Sequence, residues 1–249
     1  MNKSLPVLRQ QAIEYLQYLK EQGITHVPAS GKRLIPPSRP RSRPAAGPAA
    51  RPAPAPRPAF VVPAPLQPLV DEIAACQLCP LAKTRQHTVP GQGPLRPDIL
   101  FVGEGPGADE DAQGIAFIGR AGQLLTRMIT AMGYTRDEVF IGNIVKCRPP
   151  GNRVPTPEEM AGCIPYLKRQ IAIIRPKLIV CLGATAARGL VQETLPIGKA
   201  RGQWREFEGI PVMLTFHPAY LLRDPSKKAP CWDDLKAVLA RLGKKPPKA

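Results

Sequence analysis

The sequence contains no long hydrophobic run. No uninterrupted apolar stretch in its 249 residues approaches the roughly 20 residues that a membrane-spanning helix requires. The N-terminal stretch MNKSLPVLRQQAIEYLQYLK also lacks the continuous apolar core of a secretory signal peptide. We therefore expect a cytoplasmic protein without a membrane span.

Acidic residues are scarce relative to basic ones. Nineteen Asp and Glu stand against 35 Lys and Arg, which leaves a formal net charge of +16. Such an excess favours an anionic partner, most plausibly nucleic acid. A basic surface that is only solvated would show the same charge, so composition alone leaves both interpretations open.

Disulfides are not expected in a reducing compartment, so the six cysteines are candidates for thiols or metal ligands. Cys76 and Cys79 form a C-x-x-C pair, and Cys147 and Cys163 form a C-x15-C pair farther along. Two such pairs predict a four-thiolate site, and their spacing suits zinc and a [4Fe–4S] cluster equally. The alternative is that Cys147 and Cys163 are ordinary core residues, as we expect for Cys181 inside an apolar run.

Composition divides the chain into three segments. Residues 6–22 place leucine and isoleucine at helical spacing, which predicts a short amphipathic helix within residues 1–26. Residues 27–68 hold 13 of the 32 prolines together with Ala and Arg, a composition typical of a disordered, extended linker. Residues 69–249 are predicted to form one globular domain.

The globular segment predicts an α/β fold. Strand-length apolar runs recur at residues 98–103, 139–147, 177–183 and 211–218, and helix-like segments occur at residues 121–133, 156–175, 184–193 and 230–243. We expect a three-layer α/β/α architecture around a mostly parallel, four-stranded sheet. Such sheets bind ligands at the carboxyl ends of their strands, so Glu104, Asn143 and His217 are expected to lie near one another.

A glycine-rich loop with several carboxylates, GEGPGADEDAQGIAFIGRAG, follows the first predicted strand. Its start fits the dinucleotide-binding pattern G-x-G-x-x-G/A. However, Pro106 interrupts the helix start that a pyrophosphate needs, and the acidic residues from Asp109 to Asp111 would repel that anion. The glycines instead suit a flat, neutral ligand, because they let the main chain come close to it. The carboxylates suit a ligand on which positive charge develops during the reaction, such as a sugar ring that loses its leaving group.

Five pieces of the sequence match a known family in order and spacing. They are CQLCPLAKTR, VPGQG, FVGEGPGADEDAQGIAFIGRAGQLL, GNIVKCRPPGNRVPTPEE and HPAYLLR. From about residue 69 to its end, the chain resembles the family 4 uracil-DNA glycosylases, which carry an iron–sulfur cluster. The resemblance implies a uracil-DNA glycosylase fold and a structural [4Fe–4S] cluster on Cys76, Cys79, Cys147 and Cys163.

The resemblance also implies which residues form the uracil pocket. Glu104, Gly105 and Pro106 match the loop that wraps the base, and Phe117 matches the aromatic residue that stacks on it. Asn143 matches the residue that reads the base edge. An amide suits this role because it can donate to uracil O4 and accept from N3–H at once. Cytosine presents the opposite pattern, and each unpaired buried group would cost about 1–3 kcal/mol.

Three residues are the catalytic candidates. His217 matches the histidine of the family's second active-site motif and would donate to uracil O2 as negative charge gathers there. Glu110 is the candidate for positioning or activating water or for stabilising the sugar cation, with its acidic neighbours as competitors, and Glu104 is the third. Gly105 stands where the best-known uracil glycosylases have an Asp, so we expect catalysis to depend mainly on leaving-group stabilisation.

The segment after His217 is the candidate DNA interface. Tyr220, Leu221 and Leu222 are predicted to wedge into the gap that a flipped base leaves, and Arg223 to hold a phosphate. Arg120 lies in a loop that we expect on the same face. The alternative is that the two leucines pack the start of a helix.

These patterns predict a monofunctional uracil-DNA glycosylase that leaves an abasic site and starts base excision repair. No lysine is placed as a Schiff-base nucleophile, so strand cleavage is not expected. Two alternatives stay open: a non-catalytic nucleic-acid-binding module attached to a replication or repair partner, and a hydrolase of free nucleosides. We expect a monomer that binds uracil-containing DNA, with the N-terminal helix and linker as the place for a protein partner.

Overall fold

The computed structural model describes residues 62–247. Its strands are β1 (Ile99–Gly103), β2 (Phe140–Asn143), β3 (Leu178–Leu182), β4 (Trp204–Phe207) and β5 (Ile210–Thr215). Its helices are α1 (Gln67–Ala75), α2 (Ala108–Gln113), α3 (Arg120–Ala131), α4 (Pro157–Ile174), α5 (Ala184–Val191), α6 (Ile197–Ala200), α7 (Pro218–Arg223) and α8 (Lys228–Arg241).

The strands form one five-stranded sheet in the order β2-β1-β3-β5-β4. The pairs β1–β2, β1–β3 and β3–β5 are parallel, and β4 pairs antiparallel with β5. The predicted mostly parallel α/β sheet is therefore confirmed, with one strand more than the sequence indicated. The extra strand, β4, joins β5 through Glu208 and Gly209, which both have positive φ, as a two-residue hairpin turn requires.

Side chains of the central strands alternate between two cores, which makes the molecule three-layered. Leu100 and Val102 of β1 face a core that contains buried residues of α1, α4 and α5, whereas Ile99 and Phe101 face a core that contains residues of α3 and α8. All five residues of β1 and of β3 are buried. This burial on both faces explains their continuous apolar runs.

The folded region begins before residue 69, so the predicted linker boundary is wrong by several residues. Leu66 is buried in the core between β1 and α4, and Val62 packs against the same core. Pro65 and Pro68 lie in the first turns of a 3-10 turn and of α1, where proline fits a helix start. The predicted N-terminal helix and the rest of the linker lie outside the described residues.

Within residues 62–247, no helix is both long enough and apolar enough to cross a bilayer.

The α8 helix is fixed to the sheet by a buried carboxylate. Asp234 accepts hydrogen bonds from Thr215 Oγ1 at 2.6 Å and from Arg201 Nε at 2.9 Å. Burial raises the pKa of Asp234, whereas its bonds with Arg201 and Thr215 oppose that rise.

Replacing Asp234 by Ala is expected to destabilise the protein by about 3 kcal/mol, because it leaves the partly buried Arg201 without its charge partner. The apparent Tm should fall by about 5–10 °C, measured by differential scanning calorimetry. Asp233→Ala is the matched control, since the Asp233 side chain is 65% exposed and pairs only with Lys236 among the described residues. Equal Tm values for the two variants would contradict the assignment of Asp234 as an anchor.

Candidate active site

The carboxyl ends of neighbouring parallel strands meet at one edge of the sheet. Gly103 and Asn143 are register partners at the ends of β1 and β2, and His217 follows the end of β5 by two residues. A side chain at Gly103 would overlap both the Phe117 ring and Asn143 Oδ1. The ring centroids of Phe117 and His217 are 5.7 Å apart. One small region at this edge of the sheet is therefore surrounded by the side chains of Asn143, Phe117 and His217. Ligands bind at this edge in parallel sheets.

Phe117 is held in an unusual backbone conformation. Its φ is +52°, in the left-handed region that costs a non-glycine residue of order 1–2 kcal/mol, and its side chain is 6% exposed. The first turn of α3 packs against its main chain, because a Cβ at Gly122 would overlap the Phe117 carbonyl group. The ring is thus placed by backbone constraints on both sides.

Glu110 supplies one of those constraints. Its Oε1 accepts hydrogen bonds from Ile118 N and Gly119 N, both at 2.9 Å, and its Oε2 accepts one from Gly107 N at 3.1 Å. The buried carboxylate therefore ties the start of α2 to the residues just after Phe117. These contacts give Glu110 a positioning role in the loop, while its predicted action on water stays a prediction.

The acidic neighbours of Glu110 have different surroundings. Asp109 is exposed, whereas Asp111 is buried and accepts a hydrogen bond from Gln86 N at 3.0 Å. Asp111 therefore joins α2 to the segment before β1. This hydrogen bond from Gln86 positions α2 and does not involve the water-activating role.

The side-chain amide of Asn143 is buried and incompletely bonded. The residue is 1% exposed, and among the described residues Asn143 Oδ1 and Gln170 Oε1 are the buried side-chain oxygens without a hydrogen-bond partner. An unpaired buried acceptor costs about 1–3 kcal/mol, so such an atom needs an explanation. Its position beside Phe117 makes Asn143 Oδ1 a candidate acceptor for a donor on a ligand.

His217 is presented as a neutral hydrogen-bond donor. It forms the N-cap of α7, and its Nδ1 lies 3.1 Å from Ala219 N, which donates to it. Because Nδ1 accepts, the neutral ring carries its proton on Nε2. Burial lowers the pKa of His217 to about 4, with a smaller contribution from the positive charge of Arg223. The ring therefore stays neutral at pH 7 and offers one N–H.

Glu104 follows β1 directly and is also constrained. Its carboxylate accepts a hydrogen bond from Thr185 Oγ1. Burial raises the pKa of Glu104, while Thr185 and Arg223 oppose the rise. Beside it, a Cβ at Gly105 would lie 2.7 Å from Val145 Cγ2, so the main chain of the loop passes close to Val145. Pro106 is buried in the same loop.

The predicted DNA wedge is only partly exposed. Leu221 is 1% exposed and belongs to the core, so its assignment as a wedge is wrong and the alternative of helix packing holds for it. The reason is that α7 is amphipathic and buries Pro218 and Leu221, three residues apart. Tyr220 and Leu222 are half-buried, and for them insertion into DNA stays a prediction.

The basic residues near this segment differ in how they are held. Arg223 is exposed, with its guanidinium 5.9 Å from the centre of the Tyr220 ring. Arg120 is exposed at the first position of α3. Arg153 is engaged with Glu159, which accepts from Arg153 Nη2 at 2.6 Å. Arg223 and Arg120 therefore remain the better candidates for phosphate contacts.

The four predicted ligand cysteines line one cavity. Cys76, Cys79, Cys147 and Cys163 surround about 300 Å³ of empty volume that includes space open to solvent. Among residues 62–247, no cluster of three or more His, Cys, Asp or Glu side chains forms a site for a single metal ion. The shared cavity and its four sulfur donors fit an iron–sulfur cluster, which bridges ligands that lie farther apart than those of one ion.

Two cationic residues contact the cysteine segments. Arg85 Nη1 donates to Cys76 O at 2.8 Å and to Cys147 Sγ at 3.4 Å. The main-chain N–H of Lys146 donates to Cys163 Sγ at 3.2 Å. Donors of this kind favour thiolate over thiol, and the ligands of a cluster must be thiolates.

Sequence reasoning missed three residues that position the site: Arg85, Lys146 and Thr185. Arg85 and Lys146 lie inside the motifs CQLCPLAKTR and GNIVKCRPP. A lysine between an apolar strand and a cysteine is an unusual pattern, and this is the signal that marks Lys146 in the sequence. Thr185 carries no such signal. Cys181, by contrast, is fully buried in β3, which confirms its prediction as a core residue.

Comparisons with known proteins agree with this geometry. A sequence profile of the Uracil DNA glycosylase superfamily matches residues 90–236. The chain is 43% identical to the type-4 uracil-DNA glycosylase of Archaeoglobus fulgidus over 190 residues, which cover 73% of this chain and 96% of that protein. It is 48% identical to the type-4 uracil-DNA glycosylase of Thermotoga maritima over 160 residues, which cover 64% of this chain and 83% of that protein.

A more distant relative belongs to another type. The type-5 uracil-DNA glycosylase of Pyrobaculum aerophilum is 30% identical over 153 residues, which cover 53% of this chain and 66% of that protein. The identity to type-4 enzymes is higher and extends over more of the chain. On these matches, the chain belongs to the uracil-DNA glycosylase superfamily and, within it, to the type-4 uracil-DNA glycosylases.

Proposed function

We propose that this protein is a monofunctional uracil-DNA glycosylase. It hydrolyses the N-glycosidic bond of deoxyuridine in DNA, releases uracil and leaves an abasic site, which starts base excision repair. The observation that carries the proposal is the buried, unpartnered Asn143 Oδ1 beside the Phe117 ring and close to a neutral His217.

Base recognition follows from the amide of Asn143. Its Oδ1 accepts from uracil N3–H, and its Nδ2 donates to uracil O4. Cytosine offers an acceptor at N3 and a donor at its exocyclic amine, so both contacts become mismatches. The ring of Phe117 stacks on the base after it has been rotated out of the duplex. Because the amide is buried, each mismatch costs more than it would in water.

Leaving-group stabilisation follows from His217. When the bond between the sugar C1′ and uracil N1 breaks, the electron pair moves onto the base and increases the negative charge on O2. The Nε2–H of His217 donates to that oxygen, and the contact strengthens as charge develops, so it lowers the barrier rather than only binding the substrate. A water then adds to C1′ of the sugar cation and releases a proton to solvent. The carboxylates of Glu104 and Glu110 lie on the loop that faces this cation.

We further propose that Cys76, Cys79, Cys147 and Cys163 hold a [4Fe–4S] cluster. The shared cavity and the donors from Arg85 and Lys146 support this assignment. The cluster would supply a cross-link between three parts of the chain that are far apart in sequence: the segment after α1, the segment after β2, and α4.

The remaining partners follow from charge and from the family. DNA containing uracil is the substrate, and the exposed Arg120 and Arg223 are proposed to contact its phosphates. A protein partner at the N-terminal segment, a monomeric state and a cytoplasmic location stay predictions.

Replacing Asn143 by Asp is expected to lower the rate of uracil release by about 100-fold, because the carboxylate cannot donate to O4 and repels it. The same carboxylate can accept from the exocyclic amine of cytosine, so the ratio of uracil to cytosine excision should fall. Single-turnover assays on matched U- and C-containing oligonucleotides measure both rates.

The matched control is Gln170→Glu. Gln170 is also a buried amide with an unpartnered oxygen, but its Nε2 donates to Pro90 O, so the change alters a buried amide outside the pocket. Its ratio of uracil to cytosine excision should equal that of the wild type. A shifted ratio in Gln170→Glu, or an unshifted one in Asn143→Asp, would disprove the assignment of Asn143.

His217→Ala is expected to lower kcat for uracil release by about 10²–10³-fold with little change in KM, because it removes a donor that acts in the transition state. The assay uses a labelled oligonucleotide with one uracil and detects the alkali-labile abasic site. Wild-type activity on DNA together with no release from free deoxyuridine separates the glycosylase from a nucleoside hydrolase. Absence of release by the wild-type, cluster-containing protein would instead favour a non-catalytic nucleic-acid-binding module.

The lowered pKa of His217 sets a pH dependence of stability. Between its unfolded value of about 6.5 and its folded value of about 4, the unfolded chain binds more protons at this residue. The contribution of neutral His217 is therefore complete above pH 6.5 and decreases as the pH falls toward 4. His217→Gln should show a smaller loss of Tm between pH 7 and pH 4.5 than the wild type, and an equal loss would contradict the assignment of a neutral His217 ring in the folded protein.

Cys163→Ser is expected to reduce the iron content per chain and the visible absorption of the cluster, because it removes one of four thiolate ligands. Cys181→Ala is the control: Cys181 is fully buried in β3, away from the cavity, so iron content and absorption should be retained. Both variants are purified without oxygen. Retention of full iron content in Cys163→Ser would remove Cys163 from the ligand set.

A further inference from the structure

Lys146 lies between the base-reading residue and the cysteine cavity. Its side chain is 1% exposed, and its Nζ donates a hydrogen bond to the main-chain oxygen of Asn143 at 2.8 Å. Its main-chain N–H donates to Cys163 Sγ at 3.2 Å, and the residue lines the cavity of the four cysteines. One residue therefore contacts both sites.

The segment from Asn143 to Cys147 is fixed along its whole length. Ile144 N donates to Gly103 O at 2.9 Å, and Val145 N donates to Glu104 O at 3.1 Å. Lys146 O accepts from Val89 N at 2.7 Å. The segment thus runs from the end of β2 to Cys147 with main-chain hydrogen bonds at three consecutive residues.

The charge of Lys146 calls for an explanation that packing does not give. Burial of an ammonium group is unfavourable unless it is paired, and a methionine would fill similar space without that cost. The acceptor recorded for Nζ among the described residues is a neutral carbonyl, that of Asn143. The four cysteines line the cavity beside it, and its main-chain N–H contacts Cys163 Sγ. The residue is therefore held between the cysteine cavity and the main chain of Asn143.

We propose that Lys146 is a positioning residue that couples the iron–sulfur site to the reading of uracil. It holds the main chain of Asn143, and hence its side-chain amide, in place, and it takes its own position from the cysteine ligands. Occupancy of the cluster site then controls the uracil pocket. This inference rests on the proposed function, because it assigns Lys146 a role through Asn143.

The first test is a double-mutant cycle between Lys146→Met and Asn143→Ala. Lys146→Met should lower the single-turnover rate of uracil release about 10- to 100-fold per cluster-containing protein. In the Asn143→Ala background, the same change should lower the rate less than twofold further. Lys146→Gln keeps a donor toward Asn143 O and should recover part of the rate; it also replaces Lys146→Met in the cycle if that variant does not fold. Additive effects in the cycle would overturn the proposal.

Arg85→Met is the matched control for a cation at the cavity. Arg85 contacts Cys76 O and Cys147 Sγ, and none of its recorded hydrogen bonds in the described region reaches Asn143. Its change should reduce the iron content, and its effect on the rate per cluster-containing protein should add to that of Asn143→Ala. Coupling of Arg85 to Asn143 as strong as that of Lys146 would show a general effect of the cavity and would overturn the specific role of Lys146.

The second test does not use catalysis. Coupling is reciprocal, so a ligand at Asn143 must strengthen the retention of the cluster. Free uracil with an abasic-site oligonucleotide should slow the loss of visible absorption to an iron chelator at least twofold in the wild type, and not in Lys146→Met. Equal loss with and without uracil, in an enzyme that releases uracil normally, would overturn the proposal alone. Failure of the wild type to release uracil would overturn the proposed function instead.

Discussion

The buried amide of Asn143 is the constraint on which the rest of the site depends. Its Oδ1 has no partner within the described protein, and a ligand that supplies the missing donor would remove the cost of this unpaired acceptor. The amide must also keep a fixed orientation. If it turned over, its donor and acceptor would exchange places, and it would pair with cytosine instead of uracil. The surroundings of Asn143 therefore have to be rigid, and the structure provides that rigidity from β1, from the Phe117 loop and from the segment that leads to Cys147.

The loop that contains Glu110 and Phe117 explains why a basic protein has several carboxylates at this edge of the sheet. Glu110 binds three main-chain N–H groups and thereby compensates for the left-handed backbone at Phe117. A lysine or a neutral residue could not accept three such bonds. The acidic residues of this loop are thus explained in part by backbone geometry, without reference to the charge of the substrate. The sugar cation would add a second reason for carboxylates at this edge.

The sequence predicted most of the fold and the grouping of the site residues, for identifiable reasons. Buried parallel strands are continuous apolar runs, and the strand-end rule placed Asn143 and His217 at the same edge of the sheet. Strand β4 was missed because WREF lies at the sheet edge, buries only Phe207 fully and contains no apolar run. Leu221 was misassigned because one turn of an amphipathic helix looks the same in sequence whether its leucines face DNA or the core.

The hydrogen-bond partners of Lys146 and Thr185 could not be predicted for a different reason. Each acts through a hydrogen bond to a residue on another element or to a main-chain oxygen, and such contacts depend on side-chain direction. The resemblance to a family did not help, because it transfers the roles of residues that touch the base. The contacts of Glu110 were hidden in the same way: a glutamate in the first turn of α2 is visible in sequence, whereas its bonds to Ile118 and Gly119 are not.

The close contact at Gly105 bears on how the enzyme works without an evident general base in the loop core. A Cβ there would lie 2.7 Å from Val145 Cγ2, so an Asp at this position would require Val145 to move. Val145 N is bonded to Glu104 O, and Val145 lies between Asn143 and Lys146, so its displacement would disturb the base-reading amide. A carboxylate at position 105 would therefore have to displace the Val145 side chain. Gly105 itself supplies no carboxylate, so in the proposed mechanism the neutral N–H of His217 promotes bond cleavage, and catalysis depends on the departing uracil more than on the attacking water.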